Sequence, residues 1–267
     1  MTIIVLLIII IYFFTIMPKV LSRKSFEEFD KVYYAHRGLH DNKSNAPENS
    51  LMAFRLAVEN DYGIELDVRL TKDGLPVVFH DDSLNRACGI DKLVCDMDYK
   101  ELRNIKLFNS SETIPLFSDI LKLINGKVPI IVEFKDTKNI KLLCETIAPI
   151  LDNYNGVYCI ESFNPLIVQW YKKNRPHIIR GQLSTKHLRG GDNKDILLKF
   201  MLQNLMLNFI SKPDFIAFNY QYRNMPSFNI CRKLFNIPTF AYTIDSKCAL
   251  EDSINRFDYY IFEGFRP

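Results

Sequence analysis

The chain predicts an α/β fold: a closed (β/α)8 barrel with a small insertion after a hairpin on its second strand, preceded by one N-terminal transmembrane helix. Three observations predict it. From about residue 32 onward, eight apolar strand-like runs alternate with helical stretches in βα order. No GxGxxG turn follows the first run, which disfavours an open doubly wound sheet. Residues 2–17 carry no charge and are almost wholly apolar.

The N-terminal run stops at Pro18-Lys19. At 1.5 Å per residue it is slightly short of a bilayer core, although Met1 and Val20-Leu21 extend it. A cleaved signal peptide would carry a basic start and a small-residue cleavage site, and neither is present. The expectation is an uncleaved anchor over residues 1–18 and a short polar linker over 19–31. Lys19, Arg23, Lys24 and Lys31 follow the run, so the positive-inside rule makes this a single-pass membrane protein with its folded domain in the cytosol.

Strands are predicted at 32–36, 63–69, 129–134, 157–161, 178–183, 214–219, 238–243 and 258–263, the domain running from 32 to 267. Helical segments lie between them near 49–60, 116–125, 138–152, 164–173, 194–210, 226–235 and 246–256. Asn49 is placed to cap the first, Asn164-Pro165 puts proline at a first helical position, and Asp245 or Ser246 caps the last. An additional strand over 76–80 pairs with the second through the Lys72-Asp73-Gly74 turn. Residues 82–115 then show little periodicity and read as an insertion over the barrel mouth. No outer helix follows the eighth strand, and residues 24–31 are expected to cover that gap.

Net charge is only +3 and the basic residues are scattered, which excludes a nucleic-acid partner. The six cysteines lack paired-motif spacing, several lie in apolar runs, and they read as free thiols.

The densest run of chemistry-bearing residues lies between positions 36 and 81. In a barrel of this kind, function gathers where strands end and βα loops begin. His36-Arg37 follow the first strand. Glu65 and Asp67 are two apart on the second and share one side of it. Glu133 ends the third, with Lys135 on the same side. Carboxylates from neighbouring strands can converge on one hard divalent cation, which takes oxygen ligands. Structure alone accounts poorly for them, because unpaired buried charge is costly. His36 and His80 each follow a hydrophobic run and precede a polar residue, and imidazole titrates near neutrality, so one can act as base while the other acts as acid. Asp81 can orient His80. Arg37 suits bidentate contact with phosphate. Glu48 sits in the Pro47-Glu48-Asn49-Ser50 turn, where its bland role is to stabilise a helix start. His40, His177 and His187 lack such a context. This inventory suits metal-assisted cleavage of a phosphodiester.

The motifs resemble those of the glycerophosphodiester phosphodiesterases: AHRG at 35–38, APENS at 46–50 followed by Ala53-Phe54, ELDV at 65–68, the Thr71-x-Asp73-Gly74 turn, VFHD at 78–81, VEFK at 132–135 and ESF at 161–163. Together they span nearly all of the chain after the apolar run. The resemblance implies a TIM barrel and one divalent cation, Ca²⁺ or Mg²⁺, held by Glu65, Asp67 and Glu133. It implies His36 and His80 as acid/base catalysts and Arg37 and Lys135 beside the phosphate, with Glu48, Asp81, Glu161 and Tyr242 in support. Two endings depart from the family pattern. Tyr242 stands where tryptophan often precedes threonine, and Phe262-Glu263-Gly264-Phe265-Arg266-Pro267 replaces the usual Thr-Asp-x-Pro, so that Glu263 either substitutes for the polar group or merely faces the mouth.

The expected reaction is hydrolysis of a small glycerophosphodiester to glycerol 3-phosphate and an alcohol. An alternative enzyme reading is a lysophospholipase D-like or phospholipase C-like activity on lysolipid or other membrane lipid, suggested by the anchor and the apolar residues of 105–117. An inactive barrel serving as an anchored binding module would show a lost histidine or carboxylate, and none is lost.

Overall fold

A computed structural model describes residues 2–30, 32–186, 188 and 195–267. Met1, Lys31, His187 and the start of the helix expected from 194 lie outside these residues. The strands are β1 (Tyr34–Ala35), β2 (Gly63–Leu70), β3 (Pro76–Val78), β4 (Ile130–Phe134), β5 (Tyr158–Ser162), β6 (Arg180–Ser184), β7 (Phe215–Asn219), β8 (Thr239–Ile244) and β9 (Tyr259–Phe262). All except β3 run parallel, in the order β1-β9-β8-β7-β6-β5-β4-β2, and β1 also pairs with β2, which closes the barrel. β3 hangs antiparallel on the end of β2, with Val68 opposite Val78.

The helices are α1 (Thr2–Ile16), α2 (Leu51–Glu59), α3 (Asn85–Cys88), α4 (Tyr99–Leu102), α5 (Phe117–Ile124), α6 (Ile140–Asp152), α7 (Pro165–Asn174), α8 (Ile196–Gln203), α9 (Asn208–Ser211), α10 (Pro226–Lys233) and α11 (Lys247–Ser253). Asn164 caps α7 ahead of Pro165, and Ser246 caps α11 by accepting from Ala249 N. At α2 the cap is Ser50, which accepts from Ala53 N, rather than Asn49. The helix expected over 194–210 breaks in two around Leu205, whose φ of 57° cannot continue a right-handed helix.

The helices bury one face against the outside of the barrel, where Phe54, Ile147, Tyr171, Phe228 and Leu250 meet Leu66, Val132, Ile160 and Phe218 of the strands. A second cluster fills the interior, with Tyr34, Ile131, Cys159, Phe215, Phe240 and Tyr259. Phe26 and Phe29 belong to this inner cluster. Phe29 is 1% exposed, and Lys19 and Lys24 pair with Asp214 at the foot of β7, so residues 19–30 form the floor of the barrel. The insertion has its own small core of Val77, Leu84, Ala87, Val94, Leu102, Leu107 and Ile114. All six cysteines are free.

The N-terminal expectation is corrected. α1 has 15 residues, where a bilayer core needs about 20. Among the described residues no helix is long and apolar enough to cross a membrane. The physical reason lies at the end of α1, which is committed to the barrel. Ile16 is fully buried, its carbonyl accepts from Asn208 Nδ2 at 2.9 Å, and Lys212 Nζ donates to Met17 O at 3.0 Å. Phe13 and Phe14 pack on Phe235 and Phe209. The single-pass membrane assignment therefore falls, and the cytosolic orientation derived from it falls as well.

Candidate active site

The parallel register builds the site. Asp67 of β2 lies opposite Glu133 of β4, and Glu133 lies opposite Glu161 of β5, so three carboxylates form one inward row. Glu65 adds a fourth one step down the same side of β2. Oxygen atoms of Glu65, Asp67 and Glu133 lie within 4.8 Å of one another, and all three residues are buried. Burial, and then mutual repulsion with Asp67, Glu133 and Glu161, pushes the Glu65 carboxyl well up. Glu161 is also pushed well up, by burial and then by Glu133, and its Oε2 has no hydrogen-bond partner. Among the described residues, the fixed cations touching this cluster are Lys135, 2.6 Å from Glu133 and 3.2 Å from Asp67, and Arg37, 3.4 Å from Asp67. Four carboxylates face two cations, so the set carries an excess of negative charge whenever all four are ionised. An all-oxygen donor set with that excess fits one hard divalent cation.

Arg37 sits at φ 54°, a turn that aims its backbone N–H at Glu65 Oε2 (3.0 Å). Gly38, at φ 83°, follows because a Cβ there would come 2.8 Å from Ala53 C. The Arg37 side chain reaches Glu48 at 2.7 Å. Glu48 thus does more than favour a helix start: it holds two arginines, Arg37 and Arg86, together with Asn42. Burial alone would raise its carboxyl, but Arg86 and Arg37 outweigh that and hold it well below the usual carboxylate range.

The two histidines face the same small cavity from different strands. His36 Nδ1 lies 2.6 Å from Glu263 Oε2, and its Nε2 is 3.9 Å from Glu65. His80 Nδ1 lies 2.5 Å from Asp81 Oδ1. An ionised carboxylate only accepts, so each Nδ1 donates and each Nε2 is left for chemistry. Burial pushes the His80 imidazole down to about 4, with Asp67 pulling the other way, and burial also lowers His36.

The cavity, about 160 Å³, is lined by His36, Arg37, Glu65, His80, Glu133, Glu161, Phe163, Leu183, Tyr242, Thr243 and Ile261. Tyr242 donates to Ser184 O at 2.8 Å and sets its ring edge-on to Phe163. A wider cleft of about 980 Å³ adjoins it, between the 36–48 segment and the chain end at 262–266. The two spaces share His36 and Arg37. The carboxylate row opens into the smaller one.

All eleven predicted site residues gather at the C-terminal end of the strands, where their chemistry can converge. His40 instead braces the first turn, through His36 O at 2.9 Å, and His177 is exposed before β6, away from the mouth. Three further residues belong to the site. Asn49 donates to Asp67 Oδ2 at 2.8 Å, and Arg69 clamps His80 O through Nε (2.9 Å) and Nη2 (2.7 Å). Arg69 shares the Glu65/Asp67 side of β2, so its period-2 placement was a usable signal. Arg86 comes from the insertion, where no periodicity pointed to it.

Fold and site together define a (β/α)8 barrel that carries a buried carboxylate cluster and two carboxylate-held histidines at the C-terminal ends of its strands. The family model for the glycerophosphoryl diester phosphodiesterase family matches residues 36–264, and the chain belongs to that family. A Bacillus altitudinis glycerophosphodiester phosphodiesterase is 42% identical over 101 residues, covering 35% of this chain and 40% of that protein. A Caldanaerobacter subterraneus glycerophosphodiester phosphodiesterase is 35% identical over 166 residues, covering 56% of this chain and 65% of its own length. The matches thus span less than two thirds of these two relatives. Glycerophosphodiester phosphodiesterase 1 of Bos taurus is 25% identical over 254 residues, or 80% of this chain and 74% of that one. Among solved structures, an Oleispira antarctica phosphodiesterase superposes with a TM-score of 0.71 at 22% identity, covering 90% of this chain and 95% of that one. A Thermotoga maritima glycerophosphodiester phosphodiesterase gives 0.64 at 22%, covering 86% and 94%. At these identities the superpositions speak for the fold.

Proposed function

We propose that this protein hydrolyses small glycerophosphodiesters to glycerol 3-phosphate and an alcohol, with a divalent cation, Ca²⁺ or Mg²⁺, and two-histidine acid/base catalysis. The observation that carries the reading is that His36 and His80, each held by its own carboxylate, line one cavity together with Glu65 and Glu133 of the carboxylate cluster. Family membership supports it, as does the Oleispira antarctica neighbour, which was solved in complex with the product sn-glycerol-3-phosphate.

A cation held by Glu65, Asp67 and Glu133 would supply positive charge against the phosphoryl oxygens. Arg37 would bind and orient the phosphate from the cavity wall, and Lys135, held behind it by Glu133 and Asp67, would add positive charge. His80 lines the small cavity and not the wide cleft, which suits it to the glycerol side, where its Nε2 would take the proton of the attacking hydroxyl. His36 stands where the small cavity meets the wide cleft; as the imidazolium, with Glu263 accepting from its Nδ1–H, it gives its Nε2 proton to the departing alcohol and is left neutral. The hydroxyl oxygen bonds to phosphorus as the alcohol oxygen leaves, giving a cyclic phosphate. Water then opens the ring with the histidine roles reversed.

The small size of the cavity, about 160 Å³, favours a small polyol phosphate over an acylated lipid. The apolar residues that suggested lipid contact are spent on packing, Leu107 and Ile114 in the insertion core and Phe117 in the main core around the barrel. The test is turnover of a panel of glycerophosphodiester head groups, with glycerophosphocholine set against its mono-acyl counterpart and each measured with and without chelator. Exclusive turnover of the acylated substrate would replace this reading with the lysophospholipase D-like one.

A further inference from the structure

Arg86 is the one residue of the 82–115 insertion that reaches both halves of the candidate site. Its Nε donates to Asp81 Oδ2 at 2.6 Å, while Nη1 and Nη2 donate to the two oxygens of Glu48 at 2.9 and 2.7 Å. Asp81 holds His80, and Glu48 holds Arg37. The result is a continuous chain of charged hydrogen bonds, His80-Asp81-Arg86-Glu48-Arg37, with one guanidinium at its centre.

The surroundings fix that guanidinium. α3 is held by Leu84 and Ala87 in the insertion core, and Gly89 ends it at φ 69°. The guanidinium carbon lies 5.5 Å from the centre of the Phe108 ring, and Phe108 N donates to Ala87 O at 2.7 Å. An apolar cluster, a helix turn and an aromatic platform thus converge on one side chain that is still 44% exposed. Only arginine supplies a planar fork able to serve two carboxylates at once, because lysine is a point charge on a flexible stem.

We propose that Arg86 is a positioning residue that holds His80 and Arg37 in register with each other, and that supplying it is what the insertion does for the reaction. Through Asp81 it keeps the His80 ring and tautomer fixed. Through Glu48 it keeps the Arg37 guanidinium on the phosphate side of the cavity. Loss of the clasp therefore acts on proton transfer and on phosphate binding together.

The kinetic test rests on the proposed phosphodiester hydrolysis, whereas a spectroscopic one does not. In the full chain, Asp81→Asn should lower kcat with little change in KM, and Glu48→Gln should mainly raise KM. Arg86→Ala should do both, each by about 10- to 100-fold, the scale seen when a supporting residue of a polar site is lost. Paired with Asp81→Asn it should lower kcat little further, and paired with Glu48→Gln it should raise KM little further, because members of one unit are non-additive. Arg86→Lys should recover at most one of the two parameters. Should Arg86→Ala unfold, Arg86→Gln, which keeps a planar group over Phe108, carries the same test. Independently of turnover, the ¹⁵N shifts of His80 should report a single Nδ1–H tautomer in the unaltered protein and a mixture once Arg86 is replaced. Multiplicative double mutants, full recovery by lysine, or an unchanged His80 tautomer would each overturn the clasp. If the unaltered protein turned over no glycerophosphodiester, the proposed reaction would fail, and the His80 tautomer would still decide the role of Arg86.

Discussion

His36 Nδ1 and Glu263 Oε2 lie 2.6 Å apart across 227 residues of sequence, the last strand's ending serving the first strand's histidine. The hydrogen bond to His36 is the main cause that holds the Glu263 carboxylate below its ordinary range, and in return Glu263 offsets part of the lowering that burial imposes on the imidazole. Glu263→Gln keeps the shape and removes the charge, so the His36 pKa should fall further. The activity limb belonging to His36 should move to lower pH, with kcat down by about tenfold or more. A pH–rate profile superimposable on that of the unaltered protein would rule out this pairing.

The two histidines should act as a pair. The rate should follow a bell-shaped pH profile, and each His→Ala change should cost at least about 10²-fold in kcat. The double mutant should lose less than the product of the two. A substrate with an activated leaving group, such as a p-nitrophenyl ester, barely needs protonation. It should rescue His36→Ala and leave His80→Ala impaired. Rescue of His80→Ala instead would exchange the roles assigned here.

Activity should vanish with EDTA and return with Ca²⁺ or Mg²⁺. The affinity for cation should depend on pH in a fixed direction. Burial comes first, and carboxylate repulsion adds to it, in raising Glu65, Glu133 and Glu161, so protons compete with the cation for these oxygens. Affinity should rise with pH, and titration calorimetry in buffers of different ionisation enthalpy should show proton release. Glu65→Gln should weaken cation binding as well as rate. Full activity in chelator would rule out the metal site, and pH-independent affinity would rule out the coupling.

Phe29 should matter to stability rather than to chemistry. It is 1% exposed and packs with Phe26 among the residues that fill the barrel interior. Phe29→Ala should cost about 3–5 kcal/mol, the usual scale for deleting a buried ring. Denaturant unfolding that moved by less than about 1 kcal/mol would show residues 19–30 to be a dispensable linker.

The barrel was legible because each strand and helix announces itself locally. Val132, Glu133 and Phe134 show their alternation within a few residues, and Asn164-Pro165 marks a helix start without reference to anything distant. The carboxylates were legible for the same reason, since two-residue spacing on β2 fixes their common side. The cap of α2 lies one residue beyond Asn49, at Ser50. Asn49 and Ser50 are both good caps, and Asn49 is drawn instead to Asp67, a partner 18 positions away.

By itself the sequence determined the order of elements, the inventory of charged groups at the strand ends and the side of each strand they occupy, because these follow from short-range periodicity. The tertiary structure decided who holds whom. Glu263 reaches His36 only because β9 and β1 close the barrel, and Arg86 reaches Glu48 only because the insertion folds onto its own core. The fate of the apolar N-terminus was decided in the same way. Hydropathy counts residues that a membrane could accept, whereas packing of Ile16, Phe13 and Phe14 on the outer helices commits the end of that run to the protein. Contacts between positions hundreds of residues apart depend on chain closure, and no local pattern carries that information.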